Sequence, residues 1–176
     1  MQIVKKVQVI IILFLLLNYN ISQSLEADDY KPKTVINGSG LKIPRMVSLK
    51  KSLVFMRTGP GKEYPVKFEF KKIKYPFKII AEYNNWRQVE TFNNISGWIH
   101  TQLLSSLKTG LILKTTLLYQ SPLKLVNPKA KLLPHLLVKI KNCNTEWCKV
   151  EIIKNNTYIG WVKKDLIWGA TKNNIQ

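Results

Sequence analysis

The amino-acid sequence predicts an all-β protein: two small β-barrels in tandem behind an export signal and a short tether. Three observations carry that prediction. Short runs alternate apolar and polar side chains with a period of two, as half-buried strands do. Beyond residue 24, no segment of ten or more residues carries the 3.6-residue apolar period of an amphipathic helix. One motif also occurs twice: Trp-x-x-Val, then Gly-Trp, then two aliphatic residues five and six positions after that tryptophan.

The start of the chain does not belong to the barrels. Lys5 and Lys6 precede a run, Val7–Leu17, that is apolar save for Gln8, and Ser22 and Ser24 follow at small-residue positions. That order describes a secretory signal peptide over residues 1–24. The run is shorter than the roughly 20 residues a membrane-spanning helix needs, so membrane contact is expected only through an uncleaved signal. No cysteine stands directly after it, which argues against a lipid anchor. Residues 25–45 mix acidic, Pro, Gly and Ser residues without an apolar period and read as a flexible tether.

Strand punctuation begins at Met46. In "VKFEFK", Val66, Phe68 and Phe70 share one face and Lys67, Glu69 and Lys71 the other. In "PFKIIAEY", Phe77, Ile79, Ala81 and Tyr83 share a side. "WRQVETF" and "SGWIH" follow, separated by a turn at Asn93–Asn94. The second half repeats the plan with "TTLLYQSP", "KAKLLP", "HLLVKIK", "WCKVEII" and "YIGWV", and a matching turn at Asn155–Asn156. Leu103 and Leu104 follow Trp98 at the same offsets at which Leu166 and Ile167 follow Trp161. The loop from Val150 to Gly160 is two residues longer than that from Val89 to Gly97, a change that preserves strand parity. Two barrels are therefore expected, over 46–107 and 108–170. At about 60 residues each is near the lower limit for an independent core.

The first unit opens with "MRTGPGKEYPV", where Arg57 and a Gly-Pro-Gly turn lead into Tyr64–Pro65–Val66. Together with Trp86-x-x-Val89, Gly97–Trp98–Ile99 and Leu103–Leu104, it resembles the bacterial SH3-like (SH3b) domain family of exported envelope proteins. The second unit is similar to a degenerate copy: it keeps Pro122, Trp147, Val150, Gly160, Trp161 and Leu166 but lacks both glycines of the opening turn. The resemblance implies a small, partly open SH3-like barrel of five or six strands in each unit, in the periplasm or cell envelope. It also implies a binding or scaffolding role, with cell-wall peptide or glycan, or an envelope protein, as partner. The aromatic groove that grips polyproline in eukaryotic relatives needs an acidic loop. The corresponding region here is basic, so that specificity is not carried across.

Composition narrows the chemistry. Twenty-eight Lys and Arg against ten Asp and Glu give a formal charge of +18, which favours anionic partners. The lysines fall in small groups (Lys50–Lys51, Lys71–Lys72–Lys74, Lys129/Lys131, Lys139/Lys141, Lys163–Lys164), a diffuse field rather than a nucleic-acid site. Cys143 and Cys148 flank a turn-forming stretch, Asn144–Thr145, and export permits a disulfide between them. With only His100 and His135 in the chain, no zinc cluster is expected, and no cofactor is implied. His135 is expected to begin a buried strand and His100 to end one. Three of the ten carboxylates (Glu26, Asp28, Asp29) fall in the tether, and no catalytic pair stands out, so no enzyme activity is expected.

The candidate ligand contacts are therefore aromatic and basic: Tyr64, Tyr75, Trp86, Trp98, Trp147 and Trp161, with Lys71, Lys72 and Lys74 beside the Tyr75–Pro76 corner. Trp86 and Val89 lie three apart, Trp98 and Ile99 adjacent, and the second unit repeats both spacings. In each pair one member must face away from the barrel interior. The outward tryptophans are expected either to form a ligand platform or to pack between the two units.

Overall fold

A computed structural model describes residues 35–122, 128–153 and 158–170 of the chain, all within one compact unit, Lys33–Gln176. The expected signal peptide, the acidic residues of the tether and the Asn155–Asn156 turn lie outside these residues. Eight strands make the first unit: β1 (Val35–Ile36), β2 (Arg45–Leu49), β3 (Val54–Arg57), β4 (Val66–Phe70), β5 (Pro76–Tyr83), β6 (Trp86–Glu90), β7 (Ser96–His100) and β8 (Leu104–Ser105). They run in the order β4-β3-β7-β6-β5-β2-β8, with β1 pairing β5 in parallel. A 3-10 turn, Thr101–Leu103, links β7 to β8.

The second unit reproduces the plan with β9 (Thr109–Ile112), β10 (Thr116–Leu118), β11 (Ala130–Leu132), β12 (Leu137–Cys143), β13 (Trp147–Ile152), β14 (Ile159–Lys163) and β15 (Ile167–Trp168). Its five-stranded sheet runs β14-β13-β12-β9-β15, and β10 and β11 form a separate pair joined to β14 by the bridge Tyr119↔Trp161. The same bridge in the first unit is Arg57↔Trp98. A 3-10 turn at Lys164–Leu166 again precedes the last strand.

The two registers superimpose pair by pair. Ile79 faces Val89 as Ile140 faces Val150, and both hairpins then shift register by one residue, between Ile79 and Ala81 and between Ile140 and Asn142. Each unit closes over its own apolar core. Met56, Phe77, Ile79, Val89 and Ile99 fill the first, with Leu118, Val138, Ile140, Val150 and Val162 at the same places in the second. Burying each such side chain is worth about 1.5–3 kcal/mol, which is how so small a unit offsets the entropy of ordering its chain.

The repeated Gly-Trp has a packing cause. A Cβ on Gly97 would stand 2.6 Å from Met56 Cγ and 2.8 Å from the Arg57 carbonyl oxygen. On Gly160 it would stand 2.6 Å from both Leu118 Cγ and the Tyr119 carbonyl oxygen. In each unit the strand carrying the bridge residue crosses so close that only glycine fits beneath it.

Two expectations are corrected here. The tether read over 25–45 is not free over its last part. Ile36 pairs with Tyr83, the Asn84 amide donates to the Ile36 carbonyl (2.9 Å), and Ser39 and Arg45 grip Glu82, so residues 35–45 are joined to the first barrel. His135 does not begin a buried strand. It is exposed in the turn before β12, with a left-handed φ of 63°, and its ring lies 5.0 Å from that of Phe92 in the first unit.

Buried at the mouth of the first barrel is a charge cluster that alternation alone does not reveal. The Glu82 side chain is fully buried; its carboxylate meets Arg45 Nη2 at 2.6 Å and Arg87 Nε at 3.1 Å. It also accepts from the Ser39 amide at 2.6 Å and from the Ser39 hydroxyl. Burial by itself pushes this carboxyl up, but the Ser39 amide, Arg45 and the Ser39 hydroxyl outweigh it and hold it below its ordinary value. Arg87 also donates to the Asn84 and Trp86 carbonyls, closing the β5–β6 turn.

At the same register in the second barrel stand Cys143 and Cys148, directly paired across the β12–β13 hairpin and joined by a disulfide. Asn144 Oδ1 accepts from the amides of Glu146 and Trp147, which shapes the turn between them. One repeat thus ties its central hairpin with an ion pair and the other with a covalent bond. By the loop-closure relation so short a ring is worth about 2 kcal/mol. Iodoacetamide is expected to label neither cysteine until reductant is added and both afterwards, with a modest fall in Tm; labelling without reductant would refute the bond.

Candidate functional site

Strand alternation places Val89, Ile99, Val150 and Val162 inside and turns Trp86, Trp98, Trp147 and Trp161 to the outer faces. Trp86 lies opposite His100 and Trp98 opposite Gln88; Trp147 lies opposite Lys163 and Trp161 opposite Lys149. Each unit therefore carries two tryptophans, diagonal to one another, on the back of its β6–β7 or β13–β14 hairpin.

The two faces differ in what surrounds them. Trp86 meets the His100 ring edge-on at 5.3 Å and stays half-buried. Trp147 is only 7% exposed, because Tyr119, which replaces Arg57 at the bridge position, packs edge-on against it at 5.8 Å. Lys163 Nζ lies 5.9 Å over the same indole, a cation–π contact. The ring contacts of Trp86 and Trp147 are thus made within their own units. Contact between the units instead uses Phe92 with His135 and the Thr109 hydroxyl donating to the Lys74 carbonyl at 2.9 Å.

The remaining candidates do not converge. Tyr64 is exposed on the β3–β4 loop, where its ring blocks any Cβ at Gly59. Tyr75 packs with Phe70 and Phe77 against the first core, a structural position that raises its phenol through burial. Lys71 pairs with Glu69 at 2.9 Å, which raises it, and Lys72 is exposed. Lys74 adopts a left-handed φ of 65° at the corner that receives Thr109. The hollow beside Lys72 and Ile73 is lined by Leu133, Pro134, His135, Leu136, Leu137 and Ile153, and by no tryptophan.

An open cleft of about 810 Å³ lies elsewhere, between the units. Met46 and Lys78 line it from the first barrel; Leu113, Thr145, Glu146, Lys163, Lys164, Asp165, Ile167 and Trp168 line it from the second. Lys78 is tied to Glu90, while Lys163 reaches from the cleft to Trp147. A lining that mixes apolar, cationic and anionic side chains, in a volume suited to a small ligand, is a form that binding sites take. Trp168 was not among the expected contacts. Its position just after the second Gly-Trp unit was the one available signal, and it marks no chemistry in the sequence. Among the described residues, no group of three or more His, Cys, Asp or Glu is placed to hold a metal.

Two tandem SH3-like barrels are what this topology and its repeated register define. The family model described as Bacterial SH3 domain matches residues 50–106 and 117–169, more than half of the chain, and the chain belongs to that family. A comparison with curated proteins found no match. Solved structures similar to it include NlpC2 and NlpC1 from Trichomonas vaginalis, at 15% and 14% identity and a TM-score of 0.33 each. These similarities cover 72% and 74% of this chain and 48% of each of those, so the chain spans about half their length. Among the described residues, no helix is long and apolar enough to cross a membrane.

Proposed function

We propose that this chain is a non-enzymatic binding module of the bacterial cell envelope, exported by a signal peptide over residues 1–24, and that it recognises cell-wall peptide or glycan in the cleft between its two barrels. The observation that carries this reading is the lining of that cleft. Trp168, Ile167 and Met46 offer apolar contact, while Lys163, Lys164, Glu146 and Asp165 offer both signs of charge within one opening. A short peptide bearing amino and carboxylate groups, or a sugar with an attached peptide, has the matching mixture of apolar, cationic and anionic surface. Membership of the bacterial SH3 family supports a binding role.

The test is retention on purified cell wall. The protein is expected to co-sediment with wall material at moderate salt, and Trp168→Ala or Lys163→Glu is expected to cut retention about tenfold. That corresponds to about 1.4 kcal/mol. Retention that is unaffected by both substitutions would move the site away from the cleft. No retention, together with recovery of one envelope protein in a pull-down, would make the chain a protein-interaction adaptor instead. Affinity that falls steeply with salt for any polyanion would reduce the interaction to charge alone.

A further inference from the structure

At one end of the first sheet, β4 pairs with β3 alone; no strand among the described residues covers its outer edge. The strand reads Val66-Lys67-Phe68-Glu69-Phe70, and Val66 and Phe68 remain 48% and 40% exposed although they lie on the strand's apolar side. The alternation expected for this strand is present, but its apolar face is left partly uncovered at Val66 and Phe68. An exposed strand with a free edge is a template for another strand.

We propose that this edge pairs, antiparallel and about a two-fold axis through Phe68, with the same edge of a second copy of this chain. In that register Lys67 lies opposite the Glu69 of the second copy and Glu69 opposite its Lys67. Phe68 lies opposite Phe68, and Val66 opposite Phe70. Both cross-strand charge pairs are then of opposite sign, and the centre is an aromatic pair.

The neighbouring registers fail. Centring on Lys67 sets lysine against lysine, and centring on Glu69 sets glutamate against glutamate. A one-residue slip sets Phe68 against Glu69 and mixes the faces. Pro65, which has no N–H, ends the pairing at the N-terminal side. Lys67 now donates to the Ser96 carbonyl and Glu69 pairs with the flexible Lys71. Both contacts are exposed, so exchanging them for the cross-strand pairs costs little. The matching strand of the second barrel, Ala130-Lys131-Leu132, carries a lysine and no acid, so association closes at two copies instead of propagating.

The test is sedimentation equilibrium of the protein over a range of concentrations. Wild type is expected to shift toward twice the monomer mass as concentration rises. Lys67→Glu and Glu69→Lys, each alone, place like charges opposite one another and are expected to remain monomeric while keeping wild-type circular dichroism. The double substitution Lys67→Glu/Glu69→Lys is expected to restore the dimer, and an equimolar mixture of the two single variants to associate with each other. A wild type that stays monomeric at its highest soluble concentration would overturn the proposal. So would single variants that dimerise like wild type, or a mixture that does not associate.

Discussion

Replacing Glu82 by Ala should be the most damaging single change in the first barrel, lowering stability by about 3–5 kcal/mol. The reason is that it leaves Arg87 buried beside Arg45 with no compensating charge. It also frees the Ser39 amide, so residues 35–45 should detach from the barrel and become sensitive to protease. Removing both partners is a different experiment. A Glu82→Met/Arg87→Leu double variant should recover part of the loss, because the more deeply buried arginine goes with the carboxylate and only Arg45, with a side chain 19% exposed, is left without its partner. Since Glu82 and Arg87 occupy the register of Cys143 and Cys148, Glu82→Cys/Arg87→Cys should oxidise to a disulfide in the first barrel as well. The pH dependence has a defined sign. The folded barrel holds the carboxyl below its ordinary value of 4.5, so its contribution is complete above that pH. It is lost as the pH falls through the lowered folded value. Thermal unfolding should show wild type losing stability below about pH 4.5, with a flatter profile for Glu82→Gln. Parallel profiles for the two proteins would show that Glu82 is not the titrating group.

Gly97→Ala and Gly160→Ala should each cost about 1–3 kcal/mol, a large penalty for adding one methyl group. Neither glycine is needed for a left-handed backbone; the obstacle is steric. The contacting atoms include the carbonyls of Arg57 and Tyr119, which belong to backbone bridges and cannot rotate away as a flexible side chain could. Relief would require β3 or β10 to lift off its neighbour, breaking the bridge that closes the barrel. Guanidinium denaturation of the two variants measures the cost through the midpoint. A change within a few tenths of a kcal/mol would mean that the strands can separate freely there. If the steric account holds, Gly160→Ala should be at least as costly as Gly97→Ala, since both of its nearest contacts are at 2.6 Å.

How far the sequence could be read depends on the range of the interaction concerned. Strand parity, a local rule, puts one member of each Trp/aliphatic pair outside; that the outer member is the tryptophan comes from the structure, where Val89, Ile99, Val150 and Val162 take the interior. The repeat was legible for the same reason: Gly-Trp and the aliphatic pair that follows mark one local event, a strand crossing and a 3-10 turn, in each barrel. Partial burial was not legible. Trp147 is covered because Tyr119 stands where the first barrel has Arg57, two residues that no local pattern aligns. The Glu82–Arg87 tie was hidden as well, although one clue existed. Arg87 precedes Val89 by two positions, as Cys148 precedes Val150, so the cysteine in one repeat marks the equivalent residue in the other.

The sequence by itself determined the all-β class, the doubling and the family, because these rest on alternation, turn residues and glycine spacing within some sixty residues of chain. Only the tertiary structure decided where a ligand-sized space lies and which strand edge stays uncovered. The cleft draws on Met46, Lys78, Leu113, Glu146 and Trp168, brought together by the packing of one barrel on the other. The bare edge of β4 exists because the strand order ends there, with no further strand beside it among the described residues. Both are consequences of shape between distant segments, which a pattern along one strand does not encode.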